Sequence, residues 1–133
     1  MYRLFTLEEA TGLLPVVDTS LGEMQEAIRD MLSLRQSLVS LDPDSPEARN
    51  VSQEINFLLS VIRERKADLD RLGVQLEDVE SGLVDFPSKF GAEMILLTWE
   101  RGQDTITHFR RLTGDSTPQP LPDLNVGATI ANA

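Results

Sequence analysis

Apolar residues recur at alternating steps of three and four along two long segments of the chain. The first stripe covers residues 14–38 and the second covers residues 51–72. Such spacing places the apolar side chains on one face of an α-helix. Residues 42–46, between the two stripes, read Asp-Pro-Asp-Ser-Pro, which is typical of a turn. The pattern predicts helices over residues 7–41 and 46–72 that fold into a long antiparallel hairpin.

Residues with capping roles mark the predicted helix ends. Thr6 and Glu9 have the spacing of a capping box, in which each side chain accepts a backbone N–H of the first turn. Ser45 is a favourable N-cap for the second helix, and Gly73 is able to close that helix in a left-handed conformation. Pro15 lacks a backbone N–H, so it either begins a further helix at its first position or kinks a continuous one.

Two arginines, Arg35 and Arg65, interrupt the apolar stripes. In one interpretation each arginine lays its apolar stem along the edge of the stripe and reaches a carboxylate, for example Asp18 for Arg65 and Glu54 for Arg35. In the other interpretation the two arginines together bind an anionic ligand or partner. The sequence leaves both interpretations open.

After Gly73 the spacing of apolar residues shortens from that of a helix towards every second position, which is typical of a β-strand. We expect Pro87 to end the second strand, because proline donates no ladder hydrogen bond. Residues 101–102 read Arg-Gly, which suits a two-residue hairpin loop. The four predicted strands cover residues 74–79, 83–86, 92–100 and 104–110.

Short connections between these strands favour an antiparallel meander. A sheet of this size needs a covering layer, so we expect the helical hairpin to pack on one of its faces. The predicted fold class is therefore α+β, with one domain over residues 1–112. Residues 113–133 contain three closely spaced prolines and end in small and polar residues, which predicts an extended or disordered tail.

The charge balance excludes several classes of protein. The chain has 22 acidic and 12 basic residues and a net charge of -10. Because phosphates and anionic lipids attract Lys and Arg, we expect neither a nucleic-acid partner nor a membrane partner. The absence of cysteine excludes disulfides, Cys-liganded zinc and Cys nucleophiles. No stretch approaches the ~20 apolar residues that cross a bilayer, so a cytoplasmic protein is the expectation.

Polar residues inside the predicted strands are the candidates for a ligand-binding site. Asp85 lies between Val84 and Phe86, where apolar surroundings would raise its pKa and suit it to acid–base chemistry. Alternatively, this carboxylate faces solvent, caps a turn or pairs with an arginine. The four candidate residues are Asp85, Trp99, His108 and Arg110.

The predicted two-residue loop sets the register between the third and fourth strands. With that loop, Ile95 lies opposite His108, and His108 shares a face with Trp99. Trp99 is then a core or interface anchor or a platform for a ligand ring. His108 is a packed or surface residue or a single metal ligand, and Arg110 is part of a salt-bridged rim or an anion site. No spacing supports a complete metal site, and we predict no catalytic residue and no cofactor.

The motifs at the start and the middle of the chain resemble those of a known family. Residues 5–10 read Phe-Thr-Leu-Glu-Glu-Ala, and residues 82–87 read Gly-Leu-Val-Asp-Phe-Pro. Residues 96–102 continue the similarity, which covers roughly residues 4–112. The chain resembles a bacterial family of uncharacterised proteins, domain-of-unknown-function family 2203. The resemblance implies no established activity.

Two functional hypotheses follow from the residues. The first is a non-enzymatic protein-interaction module that forms a homodimer, or binds an unknown protein, through its helices. Its basis is the apolar residues outside the two stripes, which are Val16, Ala27, Leu32, Leu34, Leu59 and Val61. The alternative is a small-ligand or metal-binding protein with its site on the sheet.

Overall fold

The computed structural model describes residues 3–122 of the chain. Two helices come first, α1 (Leu7–Leu38) and α2 (Pro46–Leu72), and they form an antiparallel hairpin. The strands that follow are β1 (Gln75–Asp78), β2 (Leu83–Phe90), β3 (Glu93–Glu100), β4 (His108–Arg111) and β5 (Gln119–Pro120). They form one antiparallel sheet in the order β1-β2-β3-β4-β5, so the predicted α+β class and meander are confirmed.

The predicted caps are present at the helix ends. The backbone N–H of Glu9 donates to Oγ1 of Thr6 at 2.9 Å, and the N–H of Thr6 donates back to Oε1 of Glu9 at 2.9 Å. Ser45 caps α2, and Gly73 ends it with a φ of +88°. Pro15 lies inside α1, which is one continuous helix, and α1 ends at Leu38 rather than at residue 41.

The prediction that Pro87 ends a strand is wrong, because β2 continues through Pro87 to Phe90. The carbonyl of Pro87 accepts a hydrogen bond of 2.7 Å from the backbone N–H of Phe5. The N–H and C=O of one strand residue point to the same side, so the missing N–H of Pro87 lies on the side that β3 does not use. Pairing with β1 has already ended at Asp85. The ladder between β2 and β3 therefore loses no hydrogen bond at the proline.

The predicted two-residue loop between β3 and β4 is also wrong. Residues 101–107 form a longer connection, and His108 lies opposite Thr98 instead of Ile95. The longer loop buries Ile106 in the core. It also lets Arg101 reach α1, where the guanidinium donates to Asp18 at 2.9 Å and to Gln25 at 3.0 Å.

The core lies between α1 and one face of the sheet, which we call the inner face. From α1 it takes Leu14, Val17, Leu21 and Met24, whereas α2 contributes Leu69. The residues of the inner face that join this core are Val84, Phe86, Ile95, Leu97, Trp99 and Phe109. Since side chains alternate along a strand, the residues between them lie on the opposite, outer face.

Part of the predicted tail belongs to the sheet. Gln119–Pro120 pair with β4, and the N–H of Leu121 donates to the carbonyl of Thr107 at 2.9 Å. Leu121 also packs against the core. The sequence did not indicate this fifth strand, and residues 123–133 of the predicted tail lie outside the described residues.

The arginines in the two stripes have different environments. Arg65 donates to Glu23 at 2.9 Å and lies 3.1 Å from Asp68, whereas Asp18, the carboxylate named for it in the sequence analysis, pairs with Arg101. Arg35 is exposed and makes no ion pair within residues 3–122. Arg65 thus reaches a carboxylate across the seam, as the first interpretation expects, but a different one.

Candidate functional site

The sheet register brings three of the four predicted site residues to the outer face. Asp85 lies opposite Thr98, and Thr98 lies opposite His108, so these three residues form one row across β2, β3 and β4. Arg110 lies two residues beyond His108 on the same face. Trp99 belongs to the inner face, so the structure does not place it beside the other three.

Asp85 and Arg110 form an ion pair across β3. Asp85 is completely buried, and the Nη2 atom of Arg110 donates to its Oδ2 atom. Glu77 on β1 lies 3.9 Å from the same Nη2 atom, so two carboxylates share one guanidinium. Within residues 3–122, Oδ1 of Asp85 and Nε of Arg110 are buried and have no hydrogen-bond partner. The ion pair therefore connects β2 to β4, and within the described residues one oxygen of Asp85 and one nitrogen of Arg110 form no hydrogen bond.

Burial raises the pKa of Asp85 to about 6. The neighbouring Arg110 opposes this rise, and the negative charge of Glu77 adds to it. The cost of removing a carboxylate from water exceeds the stabilisation that one guanidinium supplies here. Asp85 therefore loses its proton near pH 6 rather than near pH 4.

The space next to this ion pair is very small. A depression of about 10 Å³ on the outer face is lined by Gln75, Pro87, Met94, Leu96 and Leu112. A volume of this size holds at most one water molecule. Within residues 3–122, this depression beside the ion pair is therefore too small for a small organic ligand.

The other two predicted site residues have ordinary surroundings. Trp99 is buried, and its indole N–H donates to the carbonyl of Gln103 at 3.1 Å, which is the anchoring role. The Nδ1 atom of His108 lies 2.8 Å from Oγ1 of Thr107. Within residues 3–122, no three His, Cys, Asp or Glu side chains are grouped so that they could hold a metal ion.

A second surface stands out on the helical hairpin. Of residues 28–62, which we call the uncovered half of the hairpin, only Ala48 is buried. Three large apolar side chains in it are more than half exposed: Leu32 at 55%, Val39 at 85% and Phe57 at 65%. Large exposed apolar side chains make this segment a candidate interaction surface.

The sequence analysis identified this surface only in part. It singled out Leu32 as a surplus apolar residue but did not single out Val39 or Phe57. The signal for Phe57 was present, because residues 55–62 read Ile-Asn-Phe-Leu-Leu-Ser-Val-Ile and contain no charge. Val39 lies inside the helix predicted over residues 7–41, but it comes one position after residue 38, where the apolar stripe ends, so the stripe did not include it.

A groove of about 470 Å³ lies where the hairpin leaves the sheet. Ile28 and Leu32 of α1 and Val79 of the β1–β2 turn are its apolar lining, and the polar residues Gln25, Arg29 and Glu80 complete it. The side-chain amide of Gln25 donates to the carbonyls of Val79 at 3.0 Å and of Glu80 at 3.2 Å. These bonds attach the turn to α1 and define one wall of the groove.

The uncovered half of the hairpin carries about its proportional share of the protein's net charge. Residues 28–62 contain three basic and five acidic residues, for a net charge of -2, so -8 of the total of -10 lies elsewhere. Neither helix has an apolar stretch that is long enough to cross a membrane, within the described part of the chain.

Comparison with curated proteins finds no match, and comparison with solved structures finds none either. A family model described as an uncharacterized conserved protein (DUF2203) matches residues 3–115. The match includes both helices and strands β1 to β4, and hence both the outer-face ion pair and the uncovered half of the hairpin. On the strength of a match over most of its length, this chain belongs to the DUF2203 family of uncharacterised conserved proteins.

Proposed function

We propose that this protein is a non-enzymatic interaction module that forms a homodimer through the uncovered half of its helical hairpin. The observation that carries this proposal is the burial pattern of residues 28–62, where apolar side chains recur at helical spacing but only Ala48 is buried. Two helices by themselves cannot enclose a core, and a second pair of helices completes a four-helix bundle.

The available area suits such an interface. Residues 46–62 of α2 extend for about 25 Å, and two neighbouring helices are together about 20 Å wide. One face of the uncovered half therefore offers roughly 500 Å², or about 1,000 Å² for two copies, which is the lower limit for a specific interface.

The oligomeric state of paired variants tests the proposal. We expect the wild-type protein to be a dimer at micromolar concentration in sedimentation equilibrium. The double variant Leu32→Ser, Phe57→Ser should be a monomer with an unchanged circular-dichroism spectrum, because both side chains are exposed in the single chain.

The matched control is Leu112→Ser, which changes an exposed apolar residue on the outer face of the sheet. This variant should remain a dimer. A wild-type protein that stays monomeric up to about 100 μM, at which concentration even a weak specific complex of Kd ~10⁻⁵ M would be largely formed, would contradict the proposal.

The alternative function, a small-ligand or metal site on the sheet, has one observation in its favour. This is the buried Oδ1 atom of Asp85, which has no hydrogen-bond partner within residues 3–122. The adjoining depression of about 10 Å³ is too small for a ligand. A thermal-shift series with divalent cations and phosphate, repeated on Asp85→Asn, tests this alternative: a shift in the wild-type protein that the variant loses would support it.

The proposed module needs no catalytic residue and no cofactor. Its cytoplasmic location and the absence of membrane and nucleic-acid partners stay predictions from the sequence. The partner in this proposal is a second copy of the chain, and the unknown protein partner of the sequence analysis becomes relevant only if the wild-type protein is monomeric.

A further inference from the structure

We infer that two copies pair antiparallel, so that the tip of each hairpin, at Val39, fills the groove at the base of the other hairpin. The groove is the one that Ile28, Leu32 and Val79 line. This inference rests on the proposed self-association and adds its direction, its register and the contacts that hold it.

The spacing along α1 makes this pairing reciprocal. Ile28, Leu32 and Val39 follow Leu21 by about two, three and five helical turns, and the backbone of Val39 is still helical, so the three residues lie on the side of α1 that Leu21 packs against the sheet. Val39 lies about 16 Å beyond Ile28 at ~1.5 Å per residue. A twofold axis midway between them places each Val39 at the partner's Ile28, so both contacts form at once, as a symmetric interface requires.

The tip of one hairpin and the groove of the other are both largely apolar. Val39 is the most exposed large apolar side chain of residues 3–122. The groove of about 470 Å³ is largely apolar, and Gln25, Arg29 and Glu80 complete it. A volume of this size accepts the valine together with neighbouring apolar side chains of the tip, such as Leu38 and Leu41, which are half-buried in the single chain.

The charge distribution selects the antiparallel direction. Residues outside the uncovered half carry a net charge of -8 in each copy. A parallel pair would hold these two acidic bodies side by side, whereas an antiparallel pair places them at opposite ends of the bundle. The separation then exceeds the ~8 Å over which charges interact at physiological salt. A parallel pair would also bring Val39 to its own copy and leave both grooves unfilled.

Single cysteines test the register directly, because the natural chain has no cysteine. A disulfide forms only where the Cα atoms approach within about 4.4–6.8 Å. We expect a mixture of Val39→Cys and Ile28→Cys proteins to form a disulfide-linked heterodimer under mild oxidation. Val39→Cys by itself should link at least tenfold more slowly.

Ser33→Cys mixed with Ile28→Cys is the matched control, because helical spacing turns Ser33 about 100° away from Leu32 and about 140° away from Ile28 around α1. This mixture should not link. A second readout is Val39→Arg, which should raise the Kd of the dimer at least tenfold, whereas Leu112→Arg should leave it within twofold.

The outcomes separate this inference from the proposed function. A monomeric wild-type protein would overturn both. A dimer in which Val39→Cys links to itself would overturn the antiparallel register and keep the self-association. A dimer that links neither in the mixture nor in Val39→Cys by itself would also overturn the register.

Discussion

The two halves of the helical hairpin have the same sequence pattern and different surroundings. Leu21 in the first half of α1 is completely buried against the sheet, whereas Leu32 in the second half is 55% exposed. Eleven residues make about three full turns of an α-helix, so the two side chains lie on nearly the same side of α1. The difference shows that amphipathic spacing specifies which face of a helix is apolar and leaves open what covers that face.

The lengths of the elements explain this difference. The 32 residues of α1 extend for about 48 Å at ~1.5 Å per residue. The 8 residues of β2 or β3 extend for about 27 Å at ~3.4 Å per residue. The helix is therefore much longer than the sheet that it covers, and its apolar stripe continues beyond the end of the sheet.

The largest effect expected from this comparison is on Leu21→Ala against Leu32→Ala, the same substitution in one helix. Leu21→Ala should lower the free energy of unfolding by about 3–4 kcal/mol, because it leaves a cavity in the core. Leu32→Ala should change it by less than about 0.5 kcal/mol in the monomer, because the side chain is already exposed. Urea denaturation of both variants below the dimer's Kd measures the difference, and equal losses would contradict the division into two halves.

A pH-dependent change in stability should be confined to the sheet and to the half of the hairpin that packs on it. The pKa of Asp85 is raised from 3.8 to about 6, so the folded state holds this proton more tightly than the unfolded chain. The stabilisation of the folded state by the proton on Asp85 is therefore complete below pH ~4, and it is lost as pH rises to about 6. Relative to Asp85→Asn, the free energy of unfolding of the wild type should fall by about 2 kcal/mol over this range.

Urea denaturation at several pH values between 4 and 7 measures this loss. Asp104→Asn, which changes an exposed carboxylate in the β3–β4 loop, is the control and should follow the wild type. Hydrogen exchange in residues 28–62 should not depend on Asp85. A wild-type minus Asp85→Asn difference that stays constant with pH would show that burial does not perturb this carboxylate.

The smallest expected effect compares the two helix caps. Thr6→Ala and Ser45→Ala each remove a side-chain oxygen that accepts a first-turn N–H, which costs about 1 kcal/mol. Thr6 adjoins Phe5, a core residue, so its loss should lower global stability. Ser45 lies at the tip of the hairpin, so its loss should speed hydrogen exchange around residues 42–50 and leave the denaturation midpoint nearly unchanged. A fall in the midpoint as large as that of Thr6→Ala would contradict independent opening of the tip.

Local signals in the sequence predicted much of the fold. The capping box at Thr6, the turn at residues 42–46 and the closing glycine Gly73 each act within a few residues, and each is present in the structure. Pro87 was misjudged because its effect depends on which neighbour its backbone faces. The register of His108 was misjudged because the loop of residues 101–107 is drawn open by the contacts of Ile106 with the core and of Arg101 with α1.

The candidate site was likewise predictable only where local sequence signals determine it. Asp85, His108 and Arg110 were recognisable as polar residues within apolar strands, and the alternation of a strand places two residues of one strand on one face. The pairing of Asp85 with Arg110 links strands that are not adjacent in the sheet, so no local pattern could predict it. Trp99 was placed beside His108 by a register that was three residues out, and a shift by an odd number of residues moves a side chain to the other face.

The sequence by itself determined the two helices, their caps, the turn between them and the alternation of most strands, because these depend on backbone preferences and on contacts between near neighbours. Only the tertiary structure decided the course of β2 beyond Pro87, the ion pair between Asp85 and Arg110, and the point at which the hairpin leaves the sheet. Those features depend on contacts between residues far apart in the chain and on the relative lengths of packed elements. The same side of α1 is therefore buried in the core at Leu21 and exposed at Leu32.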